Sequence, residues 1–303
     1  MSAVSLPLKF QVGARTLASI RRQLVRVPLD LDAVIAGRVP ALPVLDAAAH
    51  GYQVTSLPED RLAALAAGNG MRAFVRQRYT RYYADLTIGY DAYLATMSAN
   101  TRSSLKRKTK KVAATSGGTL DVRRFRTPAE MTAFHEVARR ISATTYQEKL
   151  LGSGLPAEAA FVRRMATLAA ADAVRGWLLY VGGDPAAYLY CPIESGTVRY
   201  DYLGHDPAFN DLSPGGVLQL EAMRDLCGAP GLTRFDFTEG EGQHKRQFST
   251  AGVACVDLLL LRATAANRLT MLALGTFDRA TALGKRGVAR FGLGDLAKRI
   301  RRA

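Results

Sequence analysis

Apolar residues change period several times along this chain, and each change marks an element. The stretch "WLLYVGGDPAAYLYCPIESGTVRYDYLGHD" (177–206) is a nearly continuous apolar run, interrupted at Gly-Gly-Asp-Pro and at Glu-Ser-Gly-Thr. Both interruptions are turn signals, so the stretch predicts three strands in an antiparallel meander. "SPGGVLQLEAMRDLC" (213–227) switches to a helical period, with Val217, Leu220, Met223 and Cys227 on one face and a stop near "GAPG". A strand "LTRFDF" (232–237), a polar loop and a last strand "VACVDLLLLR" (253–262) follow.

Upstream, Leu94, Met97, Leu105 and Val112 recur at helical intervals through "DAYLATMSANTRSSLKRKTKKVAATSGG", and Gly117-Gly118 reads as the stop of a basic helix. "TLDVRRFR" suits a strand. Thr127, Pro128 and Glu130 stand in the order of a capping box with proline at the first helical position, so a helix follows. A loop "QEKLLGSGLPAE" separates it from a helix over 159–173. Residues 1–85 are rich in Arg and Ala and end in the extended run "MRAFVRQRYTRYYADL". The first 27 residues carry basic side chains and no acid, a pattern compatible with a transit peptide and equally with an amphipathic helix of the domain. Helices, meander, helix, strand, strand is the order of an α+β layer fold.

Composition narrows the partners. The 303 residues carry a formal net charge of +15, which favours an anionic partner: nucleic acid, a phosphorylated cofactor or a membrane surface. Mean hydropathy is −0.01, as expected of a soluble globular chain, and the longest apolar runs fall far below the roughly 18–20 residues of a membrane span. Cys191, Cys227 and Cys255 form no Cys-x-x-Cys pair, so neither a disulfide framework nor a zinc site is indicated, and a reducing cytoplasm is the expected compartment. His50 and His135 lie in amphipathic segments and read as structural; no metal site is expected.

Ser213-Pro214-Gly215-Gly216 joins a helix cap, a residue with no N–H to lose and two glycines directly after the meander. A helix N-terminus presents unpaired N–H groups and partial positive charge, so it takes phosphate without a charged side chain. Glycines there let a ligand approach the backbone closely.

Taken together, "YLGHDPAFNDLSPGGVLQLEAM" and "LTRFDFTEGEGQHKRQF" resemble the paired signatures of the FemAB-like and CelD-like branch of the GNAT superfamily. The matching positions are Asp206, Pro207, Phe209, Ser213, Pro214, Gly215, Phe235, Asp236, Gly240, Lys245 and Phe248. The basic helix from Ser98 to Lys111 resembles the same branch's Ser-x-x-x-Arg-x-x-Leu-x-Arg segment, and the resemblance spans about 89–262. Two departures stand out. His205 occupies a position that commonly holds Tyr, and Ser-Pro-Gly-Gly replaces the pyrophosphate loop of ordinary GNAT enzymes, as is usual in this branch.

The resemblance implies a GNAT fold, a mainly antiparallel mixed sheet flanked by helices. It is expected here over 89–262, with an N-terminal subdomain over 1–88, a degenerate GNAT half or a covering unit, and a basic extension over 263–303. It also implies transfer of an acyl group, most simply acetyl from acetyl coenzyme A, to an amine; CelD-type members suggest an amino sugar or glycan precursor as acceptor. FemAB relatives use aminoacyl-tRNA instead, which a basic surface also suits. A catalytically silent GNAT-like module that binds membrane or nucleic acid is a third reading. Backbone N–H groups near Leu203 and Gly204 are the implied oxyanion donors, and Ser213, Gly215 and Gly216 the donor's phosphate site. Asp236, Glu239 and His205 are alternative general bases, Lys245 a partner for phosphate or oxyanion, and Tyr202 an acid for the leaving group.

In the extension, Leu269, Leu272, Phe277, Leu283, Val288, Phe291, Leu296 and Ile300 interleave with Arg and Lys, while Gly275, Gly284, Gly287, Gly292 and Gly294 are expected to break any helix. The segment reads either as a solvated tail or as an interfacial segment on anionic lipid, at the inner face of the membrane.

Overall fold

Burial at the N-terminus follows a period of two. The computed structural model describes residues 2–12, 15–67, 70–145, 148 and 154–290. There, β1 (Val4–Val12) and β2 (Arg15–Pro28) pair antiparallel, with Leu6 and Leu8 buried between exposed neighbours. The amphipathic helix allowed by the sequence reading is thus replaced by a hairpin, because Leu6, Leu8 and Phe10 alternate along one strand face and would scatter around a helix. A short α1 (Leu31–Ile35) is capped by Asp30 and leads to β3 (Gly51–Pro58), which runs parallel to β2. His50 accepts the Gln23 N–H at 2.8 Å, a structural role. α2 (Leu62–Ala67) then precedes β4 (Arg72–Asp85).

The chain forms two compact units, one of residues up to Tyr79 together with those from Ala254, the other Thr80–Val253. In the second unit, α3 (Tyr90–Thr96), α4 (Ala99–Thr115) and β5 (Asp121–Phe125) come first. Ser98 caps α4, and Gly117 and Gly118, both at positive φ, follow its end. α5 (Pro128–Thr144) has the expected capping box of Thr127 and Glu130. After α6 (Ala159–Ala170), the meander comprises β6 (Val174–Val181), β7 (Asp184–Glu194), β8 (Thr197–Arg199) and β9 (Tyr202–His205). α7 (Pro214–Leu226), β10 (Arg234–Asp236), α8 (Gln243–Phe248) and β11 (Ala251–Leu261) follow.

Strand order in this unit is β4-β10-β8-β7-β6-β5, antiparallel except where β10 runs parallel to β8. The architecture is α+β, a mixed sheet with helices on both faces. Trp177, Leu179, Ala187, Leu189 and Cys191 pack with Leu105, Val112, Val217 and Leu218 of α4 and α7. Their neighbours Leu178, Tyr180, Tyr188 and Tyr190 pack with Met131, Phe134, Ile141 and Met165 of α5 and α6. Double-sided cover explains why the meander reads as a continuous apolar run. α7 is likewise buried on more than the one face its spacing suggests: Val217 to Met223 are all buried, Gln219 and Glu221 included.

The expected third meander strand is two strands. β8 pairs with β7 at Ile193↔Val198 and with β10 at Phe235↔Val198, whereas β9 pairs with β7 alone, from Ala187↔His205 to Tyr190↔Tyr202. The chain bends at Tyr200 and Asp201 because no strand can follow β7 and β10 once they part.

In the first unit, strand order is β1-β2-β3-β11, and α9 (Ala265–Arg290) covers β1. The helix is unbroken through Gly275, Gly284 and Gly287, contrary to expectation; Gly292 and Gly294 lie outside the described residues. Each glycine costs about 1 kcal/mol relative to Ala. Burial of Leu274 among Leu6, Leu8, Leu24, Leu259 and Leu261, with Phe277 edge-on to Phe10 at 5.3 Å, offsets that cost.

A Cβ on buried Gly204 would lie 2.5 Å from the Tyr188 ring, its cross-strand partner. Gly204→Ala is therefore expected to destabilise the protein by about 1–3 kcal/mol, read as a shift in the denaturant midpoint. Gly216→Ala, whose Cβ meets nothing within 4 Å, should cost less than half of that.

Candidate functional site

Where β8 gives way to β9, the sheet opens. The last link between the two sides is the Tyr200 N–H donating to Asp236 O at 2.9 Å. Beyond it, β9 stays on β7 and the chain after Asp236 turns into a loop. The start of α7 lies against β9: a Cβ on Gly215 would be 3.1 Å from Leu203 Cδ2 and 3.8 Å from His205 Nδ1. Gly216 faces open space. Leu203, His205, Gly215 and Gly216 are thus brought together, with the positive end of the helix dipole beside the opening.

Ser213 does not act as the expected side-chain cap. It closes the 3-10 turn Pro207–Leu212 in a left-handed conformation, φ +52° and ψ +51°, which points its hydroxyl away from the role. Its carbonyl instead accepts the Gly216 and Val217 N–H groups at 3.2 and 3.4 Å. A non-glycine residue held there stores about 1–3 kcal/mol, the kind of strain that accompanies ligand sites. Lys111, at the end of the basic face of α4, donates to Asp211 O at 3.1 Å and so places a cation at this turn.

Asp236, Glu239 and Lys245 gather on the other side. Asp236 is buried and takes a bidentate ion pair from buried Arg81, Nε to Oδ1 at 3.2 Å and Nη2 to Oδ2 at 2.6 Å. Its Oδ1 also accepts the Thr238 N–H at 2.8 Å. Thr238 has φ +60°, strained for a β-branched residue, and the Asp236 contact holds it there. Lys245 is buried and donates to Glu239 O at 2.5 Å and Thr238 O at 3.5 Å; burial pulls its ammonium below the ordinary lysine range, against the pull of Glu239 and Asp236. The Glu239 side chain is exposed.

Tyr202 stands apart from Leu203 and His205, because strand alternation points it to the opposite sheet face. There it packs on Phe161 and Tyr190, at ring separations of 5.8 and 6.1 Å, and burial raises its phenol. His205 pairs with the Asn210 side chain at 2.8 Å.

Three residues at the opening escape sequence reasoning. Arg81 is 155 positions from its partner, and nothing local in β4 marks it. Tyr200 sits among Phe235, Phe237 and His244 at the floor of the opening. Asp201 lies at the bend itself, 3.1 Å from Arg199, with its carboxyl raised by burial, opposed by Arg199 and Arg164 and reinforced by Asp236 and Glu239. An acid inside an otherwise apolar and aromatic strand pattern was its only signal.

A cleft of about 830 Å³ lies elsewhere, at the far end of β7 beside Ile193 and Gly176. Its cations are matched by Arg124–Asp225 and by Arg126 and Arg175 on Asp172, so it offers less to an anionic ligand than the α7 start. Among the described residues no group of three or more potential ligands is placed to hold a metal ion, and no helix is long and apolar enough to cross a membrane.

Residues 99–246 match the family model of the acetyltransferase (GNAT) domain. Among solved structures, the C-terminal domain of an Agrobacterium fabrum protein assigned as a lysylphosphatidylglycerol synthetase is similar at 14% identity and a TM-score of 0.52, over 76% of this chain and 73% of that one. FemX is similar at 10% identity and a TM-score of 0.51, over 90% and 91%. No curated protein sequence matches. Family model and fold together support a GNAT-type acyltransferase domain; the CelD-like branch is not distinguished by them.

Arg81→Ala would leave Asp236 buried without its cation and is expected to cost about 3–5 kcal/mol in chemical denaturation. Arg81→Ala with Asp236→Ala should recover part of the loss. By contrast, Ser213→Ala should cost under about 0.5 kcal/mol, less than the roughly 1 kcal/mol of a working N-cap.

Proposed function

We propose that the Thr80–Val253 unit transfers an acyl group, most simply acetyl from acetyl coenzyme A, to an amine, with the donor's phosphates at the α7 start. The observation that carries this reading is the seating of Gly215 on β9, with Gly216 open beside it, where the chain leaves β10. The site suits the donor: Gly216 leaves room for a close-approaching group, the helix end is positive, and α4 adds Lys111. Bound there, the donor supplies the acyl group as a thioester. An amino sugar or glycan precursor is the acceptor class suggested by the CelD-like signature.

Asp201 is the general base of this proposal. A carboxyl raised by burial is a better base than an ordinary one, and it stands at the mouth of the opening. Asp201 takes one proton from the acceptor ammonium, and the freed lone pair forms the N–C bond as the C–S bond breaks. The nitrogen's second proton goes to the departing sulfur. The backbone N–H of Leu203, on the edge of β9 turned away from β7, steadies the carbonyl oxygen; that of Gly204 shares the edge of the Asp206 N–H, which donates to Ala186 O, and so faces β7. Asp236 and Lys245 are positioning residues: the first holds Arg81 and Thr238, the second the carbonyls of Thr238 and Glu239. Tyr202 is assigned to the acceptor-side wall, and His205 to the donor side.

A second reading, an aminoacyl-tRNA donor, is favoured by one feature. Arg102, Lys106, Arg107, Lys108, Lys110 and Lys111 fall on α4 with no acid among them. Phosphate contacts of that number suit a nucleic-acid backbone better than one pyrophosphate.

Calorimetric titration with acetyl coenzyme A should give saturable binding that Gly216→Asp abolishes without altering thermal stability. Absence of binding, with salt-dependent retention of aminoacyl-tRNA, would replace the donor; absence of both would leave a silent binding module. Asp201→Asn should lower kcat with little change in donor affinity and remove the limb of the rate profile that rises with pH above the ordinary carboxylate range. The same change should stabilise the fold. A raised carboxyl contributes most below its unfolded pKa, and its contribution is lost as pH rises through the folded value. Asp201→Asn should therefore raise the unfolding midpoint at neutral pH and leave it nearly unchanged near about pH 3.

A further inference from the structure

The helix α9 is apolar on two sides. Its packed side holds Leu274 in the core, buried Asn267 and Thr270, and Asp278 paired with Arg76 at 3.2 Å. Arg22 ties the same side down, donating to Thr270 Oγ1 at 2.5 Å and Ala266 O at 3.3 Å. On the outer side, Leu269, Leu272 and Leu283 are 68, 65 and 65% exposed, a degree unusual for leucine and here repeated along one helix. With Thr276 they fall at i, i+3, i+7 and i+14, so they form a single stripe. Arg268 and Arg279, both exposed and eleven positions apart, line one flank of it. Asp278 is the only acid between Ala265 and Arg290, and it is committed to the packed side.

We infer that this outer face of α9 docks on an anionic lipid surface, with the leucines in the acyl boundary and the arginines at the lipid phosphates. Charge selects the occupant. A second copy laid face to face would set Arg268 and Arg279 against their own counterparts on a chain of net charge +15, with no acid to answer them. An anionic bilayer meets both halves of the pattern, apolar contact for the stripe and phosphate for the flank. The inference does not depend on the acyl-transfer reading, which concerns residues 80–253.

The test is co-sedimentation of the full chain with vesicles of phosphatidylcholine alone and with about 30% phosphatidylglycerol. Binding is expected only to the second kind and should weaken as salt is raised. Leu269→Ser, Leu272→Ser and Leu283→Ser together should lower partitioning roughly tenfold or more. Arg268→Glu with Arg279→Glu should lower it by a comparable factor at low salt and by less at high salt. Equal unfolding midpoints for wild type and variants establish that the fold is retained; if the serine variant fails this check, the glutamate variant decides. Failure to bind phosphatidylglycerol vesicles overturns the inference. So does binding that survives the altered leucines, or a concentration-dependent dimer, in the absence of vesicle binding, that the serine variant abolishes.

Discussion

A strand cannot follow two neighbours that part from each other, and the consequences of that constraint run through the Thr80–Val253 unit. Val198 is paired on both sides, to Ile193 and Phe235, but Leu203 only on one, to Leu189. The chain must bend between them, and the bend falls at Tyr200 and Asp201. An opening results in a sheet that is otherwise closed by side chains on both faces. Backbone groups that would pair in a regular ladder are available there, and α7 enters directly beside them. The proposed donor helix, the proposed base and the proposed oxyanion donor all take their places from this one departure of the chain from β10.

Two of the strained backbone positions stand at the opening; Ser56 in β3, Asp172 and Ser195 are others that lie away from it. Ser213 and Thr238, both non-glycine residues at positive φ, flank it on its two sides. Each is held by neighbours: Ser213 by the turn that precedes it and the helix that follows, Thr238 by the Asp236 carboxylate. Asp236 in turn depends on Arg81. A buried ion pair is weak evidence of net stability, because desolvation offsets much of its attraction. Its value here is geometric, since it fixes a loop whose preferred conformation would be different. Lys245 does the same from below, with its charge spent on two carbonyls.

Much of this was legible in the chain. Thr127, Pro128 and Glu130 announced α5, the two turn signals announced the meander, and Gly117-Gly118 announced the end of α4, because each is a local effect of backbone chemistry. Ser-Pro-Gly-Gly marked the helix start correctly and the function of its serine incorrectly: whether Ser213 can cap depends on its φ and ψ, which the preceding turn sets. The N-terminal hairpin and the unbroken α9 were misread for a related reason. Basic, glycine-bearing segments have weak local preferences, and their state is settled by the core that Leu6, Leu8 and Leu274 share.

Sequence by itself determined the order of the main elements from α4 to β11, the nearly continuous apolar character of the meander, the positive charge and the glycine-marked helix start, because these follow from periodicity, turn chemistry and composition. Only the tertiary structure decided that Asp236 belongs to Arg81, that Asp201 stands at the bend, that Tyr202 faces away from Leu203, and that three leucines of α9 are left outside. Each of these depends on which strand lies beside which, and such pairings join residues far apart in the chain through contacts that no local pattern encodes.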